Sequence, residues 1–172
     1  MIERLLQVMG SRWTRLVLVS LILLGLQTTL LNDTRPLNVM IPVMLLFAVT
    51  SGSLYGSEIG AISGLIIGAM YDCVLTTPLG LASLVFGAAA YVAGLLPFFI
   101  REPTWWTRAI TIGIVGAVGE SVFPLAQSMV GLNGWFQPRV FVVMTFVAVV
   151  GMIVAPLLLT VCRWTLKESL VG

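Results

Sequence analysis

The sequence predicts an all-α integral membrane protein, a single bundle of about six transmembrane helices. Three observations lead there. The 172 residues are 59% hydrophobic and only 9% charged, whereas a soluble domain carries roughly 25% charged residues. Mean hydropathy is +1.07. Apolar runs long enough to cross a bilayer alternate with short polar or proline-bearing breaks. Almost no sequence is left over for a soluble module, so residues 1–172 read as one transmembrane domain.

The first span, at residues 14–31, follows a basic lead of Arg4, Arg12 and Arg15. Its apolar run ends at Gln27, Thr28 and Thr29 rather than at a small-residue cleavage site, so it reads as an uncleaved span and not a signal peptide. A turn bearing Asn32, Asp33 and Pro36 leads to the second span, at 37–51. Residues 52–56 read as a second turn, and the third span follows at 57–72. That span reaches roughly 24 Å. A bilayer core is ~30 Å thick, so burial among longer helices or local thinning has to accommodate it. Pro78 suits the first turn of the fourth span (79–100), where a missing N–H costs nothing. The fifth span covers 107–130 and the sixth 140–164.

Basic residues orient this map. Six spans place Arg4, Arg12, Arg15, Arg101, Arg108, Arg163 and Lys167 on one side and only Arg35 and Arg139 on the other. The positive-inside rule then predicts that both termini are cytoplasmic. Trp13, Trp105, Trp106, Trp135 and Trp164 all fall near span ends, where aromatic belts form.

Several chemistries are disfavoured. The chain has no histidine, which removes the commonest metal ligand, the usual haem ligand and a His general base. No phosphate-cradling loop and no Gly-x-Ser-x-Gly elbow occurs. No cofactor is expected. A net charge of +2 gives no reason to expect a nucleic-acid partner. Cys73 and Cys162 lie near opposite span ends and read as unpaired small residues.

Polar chemistry gathers in two places. Gly52, Gly56, Gly60, Gly64 and Gly68 recur every four residues, with Asp72 on the next rung. Small residues at that spacing let helix backbones approach closely in a membrane. The topology assigns Gly52 and Gly56 to the turn, leaving Gly60, Gly64 and Gly68 as the helical face. Asp72 is open to two readings: a headgroup-level or turn-capping residue, or an anchor that accepts hydrogen bonds from the Thr76-Thr77-Pro78 loop or pairs with a cation. Glu120 is the second place, mid-span, where a charged carboxylate costs on the order of 3 kcal/mol. Gly113, Gly116 and Gly119 imply close packing beside it, and Pro124 permits a kink. Glu120 reads equally as polar glue or as a functional group. Glu58 reads as a carboxylate favoured by the dipole at the start of the third span.

The stretch from Gly60 through Gly64, Gly68 and Asp72 to Pro78-Leu79-Gly80, then Leu81–Leu84 and an aromatic-small turn at Tyr91–Gly94, resembles the MreD family of rod shape-determining membrane proteins. Size, span count and the basic N-terminus also agree. The apolar run into Asp72, flanked by Tyr71 and followed by Cys73, departs from the pattern. The resemblance implies a non-enzymatic subunit of the bacterial elongation machinery in the plasma membrane. Its implied partners are a single-span MreC-like protein and, through it, an MreB-like filament and the RodA–transpeptidase synthase. Gly60, Gly64, Gly68, Asp72, Pro78 and Gly80 match the motif. Together with Glu120 they form the expected helix-packing or partner-binding set. The resemblance also implies a fold like the substrate-binding subunits of energy-coupling-factor transporters. A vitamin-binding subunit of that type is therefore the competing function, although polar groups to line its outer pocket are sparse.

Overall fold

The computed structural model describes residues 12–33, 41–74, 80–100, 102–129 and 140–166, and every element among them is helical. In chain order these are α1 (Arg12–Asp33), α2 (Val43–Tyr55), α3 (Ser57–Asp72), α4 (Leu81–Gly94), α5 (Leu96–Phe99), α6 (Trp105–Met129) and α7 (Val140–Leu166). Among the described residues, three stretches are long and apolar enough to cross a membrane: Leu81–Phe99, Trp105–Leu125 and Phe141–Leu166.

The architecture is a ring around a post. Helices α1, α7, α6, α4 and α3 each pack against the next and close back onto α1, and α2 touches all five. The sequence of α2 explains its place. Its residues from Val43 to Ser53 are all buried, as expected of a helix that is apolar on every side. At 13 residues α2 is about 20 Å long. Its Thr and Ser side chains bond back to their own helix: Thr50 Oγ1 donates to Leu46 O at 2.7 Å, Ser51 Oγ to Ala48 O at 2.6 Å and Ser53 Oγ to Thr50 O at 2.9 Å. Such back-bonding satisfies a hydroxyl without water or a loop. For this reason α2 runs on to Tyr55. The turn expected at 52–56 shrinks to Gly56 (φ 88°) between α2 and α3, and Gly52 is helical.

Two further expectations shift. Tyr91–Gly94 is the last turn of α4, not a turn between elements. The fourth apolar stretch is broken at Leu95, with Pro97 in the first turn of the short α5. Helix α6 continues through Pro124 to Met129.

The bundle has two chemically distinct ends. At one, Arg108 donates to Ser53 O in the last turn of α2, placing a cation where the helix dipole is negative. Arg15 Nη1 donates to Trp164 O at 3.3 Å, and the Tyr55 hydroxyl donates to Arg163 O at 3.3 Å. Asp72 and the start of α4 mark the other end.

Candidate functional site

The site is built where α3 ends and α4 begins. The first N–H groups of a helix lack intrahelical partners, and a cap residue usually supplies an acceptor. Gly80, at the N-cap of α4, has no side chain to offer. Asp72 supplies the acceptor from the last turn of α3. Asp72 is 2% exposed, and its carboxylate accepts from Gly80 N (3.0 Å), Ala82 N (3.0 Å) and Ser83 N (3.1 Å). The positive end of the α4 dipole adds to that attraction. Of the two readings of Asp72, this geometry is that of an anchor, but its donors are backbone amides of α4. Gly80 has φ 101° with open space around it, so glycine is required there for backbone reasons alone.

Below the clasp runs a seam in which helix backbones touch. A Cβ on Gly68 would lie 2.6 Å from Ala82 O, and one on Gly64 2.6 Å from Phe86 O. A Cβ on Gly60 would lie 2.5 Å from Gly52 Cα and 2.9 Å from Ala90 O, and one on Gly52 would overlap the Ala90 carbonyl. On the facing helix, Gly94 meets the start of α3, with a Cβ there only 2.5 Å from Gly56 C. Ser83 Oγ donates to Leu65 O at 2.8 Å, and the Ser51 and Ser63 hydroxyls bond to each other across α2 and α3. The glycine face is thus turned inward, against α4 and α2.

Gly60, Gly64, Gly68, Asp72 and Gly80 therefore form one continuous feature. Pro78 lies outside the described residues. Glu120 stands apart from the seam, half-buried on α6. Its neighbouring glycines face three ways: Gly113 toward Ala148 and Met152 of α7, Gly116 toward Leu46, and Gly119 toward Leu45 and Ala89. Tyr71 links the two regions. It stacks on Phe86 (5.3 Å between ring centroids) and meets Phe123 edge-on (6.5 Å). Gln27, Glu120 and Asp72 lie in its neighbourhood.

Gln27 is the residue that sequence reasoning missed. It is buried, and its Oε1 accepts from Met44 N at 3.0 Å, capping α2 from α1. The available signal was a lone amide inside an apolar run, which a bilayer-facing helix would not tolerate unpartnered. Gly52 and Gly94 were likewise not assigned to the packing face.

Chemically, this arrangement holds helices in register. The Asp72 oxygens are engaged by backbone donors, and among the described residues no group of His, Cys, Asp and Glu could hold a metal. Cys73 is exposed and Cys162 buried, and neither forms a disulfide.

These features define a polytopic helical membrane protein whose most developed polar site serves architecture. The family model for rod shape-determining protein MreD matches residues 9–161. The chain belongs to the MreD family, membrane proteins of cell-shape determination. Neither a curated protein nor a solved structure matches it.

Proposed function

We propose that this chain is a non-enzymatic scaffold subunit of the machinery that elongates rod-shaped bacterial cells. On this reading it forms one transmembrane domain, all six helical stretches cross the plasma membrane, and both termini are cytoplasmic. It docks a single-span MreC-like protein, and through that partner acts on the MreB-like filament and the RodA–transpeptidase synthase. The observation that carries the reading is the family match over residues 9–161. Two features of the fold support it. The interior polar side chains of the α2–α3–α4 core are consumed by bonds within the bundle. The groove between α4 and α6, a cavity of about 330 Å³, is walled by apolar residues such as Val85, Val92, Ile114 and Val118, whereas a vitamin pocket needs convergent polar groups. Orientation is supported by the gathering of Arg15, Arg108 and Arg163 at one end.

The test is affinity co-purification of the tagged full chain with the MreC-like protein of the same cell. The intact chain is expected to retain the partner, and Asp72→Ala to lose it together with thermal stability. If the intact, well-folded chain fails to retain the partner, the scaffold reading is wrong. If retention survives both Asp72→Ala and bulky substitutions along the whole glycine seam, the seam has no part in docking.

A further inference from the structure

The arginine end carries chemistry that the clasp and the seam do not use. Arg108 sits in the first turn of α6, where the helix dipole disfavours a cation. It is held there by two carbonyls, Ser53 O and Pro103 O. Arg163, in the last turn of α7, lies at the same end, where the Tyr55 hydroxyl, two residues on from Ser53, donates to its carbonyl; like charges gathered there repel. The negative ends of α2 and α7 attract Arg108 and Arg163 singly, but neither offsets the repulsion between the two. Arg15 brings a third guanidinium to the same end through its bond to Trp164 O. Glu58 and Glu102 are also exposed at this end, yet among the described residues neither Arg108 nor Arg163 is ion-paired. An anion between them would remove the repulsion.

The surroundings say which anion. Trp105 and Trp106 stack at 3.8 Å beside Arg108, and Trp164 adjoins Arg163; all three indoles are exposed. Exposed tryptophans at a helix end mark the level of lipid headgroups. Guanidinium forks suit phosphate oxygens, which accept two parallel hydrogen bonds. Basic positions between helices at that level are where anionic headgroups bind. We propose that Arg108 and Arg163 form a binding site for the phosphate headgroup of an anionic phospholipid.

Full-length protein reconstituted in vesicles of equimolar phosphatidylglycerol and phosphatidylcholine, then extracted in mild detergent, gives the test. Native mass spectrometry reads the lipids that stay bound. The intact protein is expected to retain phosphatidylglycerol preferentially. Arg163→Gln should reduce that preference about fivefold, the factor expected for one basic residue near an anionic surface. The Arg163 side chain is exposed, so this variant should melt with the intact protein. Arg163→Lys keeps the charge and should keep most of the preference. Equal retention of the two lipids by the intact protein, or an unchanged preference in Arg163→Gln, would overturn the proposal. Loss of the bound lipid to inorganic phosphate as readily as to short-chain phosphatidylglycerol would also overturn it, by assigning the arginines to a free anion.

Discussion

Asp72 does for α4 what a cap residue usually does for its own helix. Because its oxygens receive three N–H groups, an amide is a poor replacement. Asn would present an NH₂ where one oxygen accepted, setting donor against donor. Asp72→Asn is expected to cost about 1.5–3 kcal/mol, the range for hydrogen bonds to a charged group, read by reversible unfolding in mixed micelles. A loss near zero would mean that the carboxylate is solvated rather than clasped. The residue itself was legible, since a carboxylate on the last rung of a glycine ladder is conspicuous. Its partners were only half legible: the sequence pointed to the following loop, and the donors lie at its far edge, in the start of α4. Gln27 was visible only as the end of an apolar run, because nothing local reveals that Met44 N of a later helix needs an acceptor.

At the scale of elements, the seam between α3 and α4 depends on backbone meeting backbone. The obstacles to a methyl group at Gly64 are Phe86 O and Gly87 Cα, which cannot rotate aside as a side-chain tip could. Gly64→Ala is expected to cost about 1–3 kcal/mol through overpacking. Gly25→Ala, with no atom within 4 Å of the added carbon, should be neutral or gain up to about 1 kcal/mol from helix propensity. Thermal melts of both variants in the same detergent separate contact from propensity. The four-residue period made the α3 face readable in advance. It concealed that Gly52 belongs to the same seam from α2, because a run of Gly and Ser looks like a turn. In an apolar surrounding, those serines close onto their own helix and the run stays helical.

The whole molecule places a short helix, buried from Val43 to Ser53, inside five others. That enclosure was foreseeable from α2, whose apolar residues show no single face. The order of helices around the ring was not, because hydropathy fixes spans and says nothing of neighbours. The proposed orientation puts Cys73, exposed at the end of α3, on the outer side, while Cys162 is buried in α7. A membrane-impermeant maleimide added to spheroplasts is expected to modify Cys73 and leave Cys162 untouched. Protection of Cys73 until the membrane is broken would reverse the orientation.

The clasp also imposes an order of events during synthesis. All three donors to Asp72 lie later in the chain, the last of them at Ser83. The ribosome therefore delivers a helix of 16 residues, ending in a carboxylate, before anything exists to receive that charge. The glycine face likewise has no α4 to meet until residues up to Gly94 have followed. Neither helix is complete as a unit on its own. On the proposed topology, α3 and α4 are expected to enter the membrane together as a hairpin, with Asp72 the latch that closes when the second half arrives.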